Sequence, residues 1–62
     1  MMYCVIWKKN DLYQMFTNQI FETEAKAIEF KNKQKQFRKA HDARAVEFDY
    51  KYFKGVKEDE IE

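Results

Sequence analysis

The chain has 62 residues, a formal net charge of +1, 18% aromatic residues and 37% charged residues. This length allows one domain, which buries only about 60% of the surface that its unfolded chain exposes. A single cysteine excludes an internal disulfide, and one cysteine with one histidine cannot complete a Cys/His zinc site. We therefore expect no cofactor and no metal, and we expect a protein partner or a second copy to add stability. The aromatic content indicates a packed core rather than a disordered chain.

The apolar start of the chain, residues 1–7, ends at Lys8 and Lys9. It lacks a basic leader and falls short of the apolar region of a secretory signal, and it is far below the roughly 20 residues that span a bilayer. A lone thiol is typical of a reducing compartment. These features predict a cytoplasmic protein with no membrane partner.

Two strands and a tight turn are predicted first along the chain. Residues 3–8 are rich in β-branched and aromatic side chains, and residues 12–21 form a second apolar segment. Between them, Asn10 and Asp11 tolerate the left-handed conformation of a two-residue hairpin turn. That turn predicts the pairs Lys9 with Leu12, Trp7 with Gln14, Val5 with Phe16, and Tyr3 with Asn18.

A helix is predicted over residues 23–40. Thr23 is a candidate N-cap, and Glu24 follows at the positive end of the helix dipole. Glu29 precedes Lys33 by four residues, the better orientation for an ion pair along a helix. One face is defined by residues at three- and four-residue steps, namely Ala27, Phe30, Gln34, Phe37 and His41.

A third strand is predicted over residues 43–53, where apolar and charged residues alternate before Gly55. Residues 57–62 are mostly charged and are expected to fray, which leaves residues 1–56 as the folded domain. The order β-β-α-β and a right-handed crossover predict an α+β fold. In it, one helix packs on one face of a three-stranded antiparallel sheet of order 2-1-3.

Both sides of the predicted hairpin are apolar, and one helix covers only one of them. We expect the helix on the side of Val5, Trp7 and Phe16, joined by Val46, Phe48 and Tyr50 from the third strand. An exposed face would then remain beside Glu47, Asp49 and Lys51, which predicts a protein-contact surface there. Alternatively, a bulge or the tail hides part of that face. The predicted contact residues are Cys4, Ile6, Tyr13 and Met15.

The second half of the helix carries five cations in nine residues, which makes nucleic-acid binding the runner-up hypothesis. Tyr13 or Tyr52 could stack on bases in such a complex. The plainer interpretation is a solvated helix surface, because the cations scatter around the helix and the whole-domain charge is small. The candidate phosphate contacts are Lys31, Lys33, Lys35, Arg38 and Lys39.

Nothing in the sequence indicates catalysis. The chain contains no serine, and one glycine cannot form a phosphate-binding loop. His41 is best explained by its place at the negative end of a helix dipole, and Cys4 by packing in a strand. Glu47 and Asp49 have the spacing of an ordinary exposed strand face. We therefore expect no enzymatic activity.

The sequence favours a small protein–protein interaction module that forms a homodimer or regulates or inhibits a larger host protein. In size, aromatic content and lack of catalytic chemistry, the chain resembles the short accessory proteins of phages and mobile elements. This is a resemblance of type, because no motif connects it to one family. Salt separates the two hypotheses, since phosphate binding weakens steeply as salt rises whereas an apolar protein contact persists.

Overall fold

The computed structural model describes residues 1–34 and 42–61. Its strands are β1 (Tyr3–Lys9), β2 (Leu12–Met15) and β3 (Arg44–Glu47), and its helix is α1 (Glu24–Lys33). Two short 3-10 helices follow, Tyr50–Phe53 and Glu58–Glu60. The strands form an antiparallel sheet of order β2-β1-β3, and α1 packs on one face. The predicted α+β fold and sheet order are confirmed.

The hairpin forms with the predicted turn and, as far as Phe16, with the predicted register. Asn10 and Asp11 have φ of 54° and 67°, the left-handed pair that a two-residue turn between twisted strands requires. Lys9 lies opposite Leu12 and Trp7 opposite Gln14. The ladder continues for one more hydrogen bond, in which the Phe16 amide donates to the Val5 carbonyl at 2.8 Å.

The second strand is shorter than predicted, because the backbone turns sharply after Phe16. Thr17 has a φ of 57°, which interrupts the extended conformation. The chain returns to the sheet at Phe21, which exchanges two backbone hydrogen bonds of 2.7 Å with Tyr3. The predicted pairing of Tyr3 with Asn18 is therefore wrong.

The helix begins where the sequence predicts. Thr23 is extended, and its Oγ1 accepts from the Lys26 amide at 3.2 Å. The predicted ion pair is present, with Lys33 Nζ at 3.0 Å from Glu29 Oε1. The helix ends at Lys33, seven residues before the predicted end, because Gln34 is extended with φ −87° and ψ 116°. Residues 35–41, including His41, lie outside the described residues.

One core cluster lies between the sheet and α1. Val5, Phe16 and Ala27 are buried there, and the Phe30 ring lies 5.1 Å from that of Phe21 and 6.0 Å from that of Phe16. Ala27 allows the helix to approach the sheet closely, since a methyl group occupies little depth. The half-buried members of this helix-side cluster are Tyr3, Trp7, Phe21, Phe30 and Ala45.

The side chains of β3 lie on the opposite sides of the sheet from those predicted. Ala45 lies opposite Val5, on the helix side, whereas Val46 lies opposite Cys4 and packs on the other side. Because side chains alternate along a strand, Phe48 follows Val46 onto that side. The strand also ends at Glu47, and residues 50–53 form a 3-10 helix whose first turn is capped by Asp49 Oδ1, 2.9 Å from the Lys51 amide.

The predicted open face of the sheet holds a second buried cluster. Cys4, Ile6, Tyr13 and Met15 are all buried, so the prediction that they are exposed is wrong. The chain after β3 covers them with Tyr52 and Val56, joined by half-buried side chains at Val46, Phe48 and Ile61.

The C-terminal segment, residues 54–61, reaches this face by a reversal at Gly55, whose φ is 94°. Val56 then exchanges two backbone hydrogen bonds with Tyr13, of 2.7 and 2.9 Å, on the outer edge of β2. The segment contacts the rest of the domain as far as residue 61. Its contacts are Glu58 Oε1 with Arg44 at 2.8 Å, the Glu60 carbonyl with Lys51 Nζ at 2.9 Å, and the packing of Ile61.

Candidate protein-contact surface

The four side chains predicted as contact residues are part of the core. Cys4 has no exposed surface, and burial raises the pKa of its thiol to about 11. The thiol is therefore protonated at neutral pH and a poor nucleophile. Each of the four residues is at most 9% exposed with the C-terminal segment in place.

A cluster of three aromatic rings lies on the surface where β3 ends. We call Phe48, Tyr50 and Phe53 the aromatic patch. The ring centroid of Tyr50 lies 5.1 Å from that of Phe48 and 6.1 Å from that of Phe53, and those of Phe48 and Phe53 are 5.9 Å apart. Tyr50 is 76% exposed and Phe53 49% exposed, while Phe48 packs against the second core cluster. The patch is thus anchored at one ring and open to solvent at the other two.

Met2 extends this apolar surface. The Phe48 amide donates to the Met2 carbonyl at 2.8 Å, which places Met2 opposite Phe48 in the β1–β3 register. Met1 and Met2 are both exposed. Thioether side chains adapt easily to the shape of a contacting surface.

The outer edge of β3 has unpaired backbone groups. The bond between Phe48 and Met2 fixes the alternation, so Arg44 and Val46 bond to β1 while Ala45 and Glu47 direct their N–H and C=O groups away from it. No described residue bonds to these outward groups. A depression of about 230 Å³ lies beside this edge, lined by Val46, Glu47, Phe48, Asp49, Lys51 and Tyr52.

Arg44 connects the sheet to the C-terminal segment. Its Nη2 donates to Tyr13 Oη at 3.0 Å and to Glu58 Oε1 at 2.8 Å, and its guanidinium carbon lies 4.7 Å from the centre of the Tyr13 ring. Burial alone would lower the pKa of Arg44, but the hydrogen bonds and charge interactions with Tyr13 and Glu58 raise that pKa above its ordinary value. The Arg44 guanidinium is therefore held by Tyr13 and Glu58 and has a structural role.

The basic helix is described only in part. Lys31 is half-buried, Lys33 is paired with Glu29, and Lys35, Arg38 and Lys39 lie outside the described residues. Tyr13 and Tyr52 are buried, so neither ring can stack on a base. A depression of about 350 Å³ does lie beside the described part of the helix, lined by Phe21, Lys26, Glu29, Phe30 and Lys33.

The residues of the aromatic patch are absent from the predicted contact residues, although one signal in the sequence marks them. Aromatic residues at 48, 50, 52 and 53 keep a two-residue spacing and then break it at Phe53. In a continued strand, Phe53 would lie on the same face as Asp49 and Lys51, so the break in alternation indicates that the strand ends before this residue. Asp49 caps the 3-10 helix that follows the strand, so its carboxylate has a structural role.

No family model, no curated protein and no solved structure matches this chain. Among residues 1–34 and 42–61, no group of three or more Cys, His, Asp or Glu side chains could hold a metal ion. No helix within the same ranges has the length and apolar character needed to cross a bilayer. The function is therefore inferred from the surfaces described above.

Proposed function

We propose that this chain is a non-enzymatic protein-interaction module that contacts its partner through the aromatic patch. The observation that carries the proposal is the group of three contacting rings, in which Tyr50 is mostly exposed and Phe53 about half exposed. The partner is a second copy of the chain or a larger protein, which binding would regulate or inhibit. We also propose a cytoplasmic location, consistent with the free thiol of Cys4.

The patch has the properties of a binding hot spot. Aromatic side chains bury a large apolar area at a small cost in conformational entropy, and they dominate the energetics of many protein interfaces. Here Asp49 caps the 3-10 helix and Phe48 packs against the second core cluster, so the backbone that carries the rings is already folded in the free protein. Such preorganisation reduces the entropy lost on binding.

The depression at the helix is the observation that favours nucleic-acid binding as a second candidate. It combines two aromatic rings, Phe21 and Phe30, with Lys26 and Lys33. Glu29 lines the same depression, and its Oε1 lies 3.0 Å from the Lys33 ammonium. The negative charge of Glu29 therefore offsets the positive charge of Lys33 that would attract a phosphate. The aromatic patch has the larger exposed ring surface, so protein contact is the better supported function.

Site-specific photocrosslinking tests the proposal. A benzophenone amino acid would replace Tyr50 in the patch and, as a control, Ile28, which is 39% exposed on the helix. In extracts of the source cells at low and moderate salt, we expect the probe at residue 50 to form discrete protein adducts that persist at both salts. The control probe should not form them. A further substitution, Phe53→Ser, should reduce the adducts, because it removes one of the two exposed rings.

Two results would contradict this function. Adducts with nucleic acid alone, lost between low and moderate salt, would support phosphate binding instead. Equal adducts from residues 28 and 50 would show that the patch has no particular role.

A further inference from the structure

We propose that a second copy of this chain pairs with the outer edge of β3, so that two sheets join into one across a two-fold axis at Val46. This inference rests on the proposed function, since it names a partner for the surface around the aromatic patch. It goes further by assigning the backbone of Ala45 and Glu47 as the groups that bind.

The two free edges of the sheet differ in availability. At the outer edge of β2, the Tyr13 amide and carbonyl are both bonded to Val56. At the outer edge of β3, the outward groups of Ala45 and Glu47 have no partner among the described residues. An unpaired edge of this kind is a template for another strand. Edge pairing should therefore occur at β3.

The outward groups of β3 complement those of a second, antiparallel β3. When Val46 lies opposite Val46 of the second copy, Ala45 lies opposite Glu47 of that copy. Ala45 and Glu47 then form hydrogen-bonded pairs, in which each residue donates its amide and accepts at its carbonyl. All the outward groups of both residues are thereby used in both copies.

Side-chain chemistry selects this register over its neighbours. Centring the axis on Glu47 would place two Glu47 carboxylates directly opposite each other, which is destabilising. Centring it on Ala45 would place Arg44 against Val46. The register centred on Val46 brings two valines together at a non-hydrogen-bonded position, where facing side chains are closest.

The aromatic patch lies next to the proposed junction. Phe48 is two residues from Val46 on the same face of the sheet, and the depression lined by both residues opens beside the edge. A four-residue strand alone falls short of the roughly 800 Å² per partner that stable interfaces bury. The exposed rings of Tyr50 and Phe53 can supply the additional apolar area.

Amide hydrogen exchange measured residue by residue, together with sedimentation equilibrium, tests the pairing. Within a single copy, Arg44 and Val46 amides are bonded to β1 and should be protected at every protein concentration. Ala45 and Glu47 amides should exchange rapidly in dilute protein and become protected as the measured mass rises to that of two copies. A mass of one copy at all concentrations, or unprotected Ala45 and Glu47 amides in a dimer, would refute the pairing.

Backbone methylation adds a direct test, since a chain of 62 residues is accessible to chemical synthesis. An N-methyl group on Glu47 removes an outward donor that the fold itself does not use. The matched control is an N-methyl group on Met15, whose amide points out of the opposite edge of the sheet. We expect the first to raise the dimer dissociation constant by about tenfold or more, because it removes one hydrogen bond in each copy. The second should leave the constant unchanged.

Equal effects of the two methyl groups, or none, would refute the assigned edge. If either methylated chain fails to fold, as judged by loss of protection at Val46, the exchange experiment on the unmodified chain decides. The outcomes also separate this inference from the proposed function. A monomer whose residue 50 still crosslinks to another protein refutes the edge pairing alone, whereas a monomer without such adducts refutes both.

Discussion

Cys4 is a buried thiol at the centre of the second core cluster. It lies on the middle strand opposite Val46 and has no exposed surface. Burial raises its pKa from 9.0 to about 11, because the thiolate would lose its hydration there. The folded state therefore holds the thiol proton more tightly than the unfolded state does.

This shift predicts a pH dependence of stability. The contribution of Cys4 is fully present below pH 9, and it is lost as the pH rises from about 9 to about 11, because the unfolded chain releases the thiol proton first. Urea unfolding at pH 8 and pH 10.5 should show a larger loss of free energy for the native chain than for Cys4→Ala, by on the order of 1 kcal/mol. Equal losses in the two chains would contradict the raised pKa.

Gly55 is the second residue with a specific structural requirement. Its φ of 94° is unfavourable for residues with a side chain, and an added Cβ would lie 3.2 Å from Gln14 Cγ and 3.3 Å from Leu12 Cβ. We expect Gly55→Ala to lower the free energy of unfolding by more than about 1 kcal/mol. Lys54→Ala, at an exposed position with right-handed helical backbone, should change it by less than about 0.5 kcal/mol. Chemical denaturation measures both.

Among the elements, α1 depends most on its surroundings. A helix of ten residues is marginal in water by itself, so its stability comes from the packing of Ala27 and Phe30 and from its cap. The hairpin differs, because its turn and register are set by Asn10 and Asp11 next to strongly β-forming residues.

Removal of the cap should therefore be measurable. In Thr23→Ala the amide of Lys26 loses its bond to Oγ1, and we expect the free energy of unfolding to fall by about 1 kcal/mol. Thr23→Ser keeps a hydroxyl at the same position and should retain most of the stability. A loss of the same size in both variants would assign the effect to the threonine methyl group instead.

At the scale of the whole molecule, the sheet carries a core cluster on each face. The helix covers one, and the C-terminal segment with the first 3-10 helix covers the other. The C-terminal segment and the first 3-10 helix cover the second cluster with few apolar side chains, so each of these contributes noticeably to the free energy of unfolding. Val56 is 5% exposed and also holds the segment to β2 through its backbone.

Substitutions in the C-terminal segment should separate packing from charge. Val56→Ala should lower the free energy of unfolding by about 2 kcal/mol through lost burial and the remaining cavity. It should also increase binding of a dye that reports exposed apolar surface. Glu58→Gln removes an exposed ion pair with Arg44 and should cost less than about 1 kcal/mol. A larger effect at Glu58 than at Val56 would show that charge, rather than burial, holds the segment in place.

The strand order is predicted by the general handedness of crossover connections. Local residues predict the hairpin, its register as far as Phe16 and the start of the helix. These features depend on local chemistry: positive φ at Asn10 and Asp11, a hydroxyl cap at Thr23, and alternation with a period of two. Each signal lies within a few residues of the structure that it specifies. Local signals of this kind do not depend on the rest of the fold.

Long-range contacts determine which face of the sheet each side chain of β3 occupies. They also determine what covers Cys4, Ile6, Tyr13 and Met15. Alternation divides the side chains of a strand into two sets on opposite faces of the sheet. Which set of β3 lies on the helix side follows from the pairing of Val46 with Cys4. The charges of residues 57–60 likewise mask the packing of Val56 and Ile61 against the sheet. This packing holds the C-terminal segment together with its hydrogen bonds and its ion pair to Arg44. Both outcomes depend on contacts between residues far apart in the chain, which local patterns do not encode.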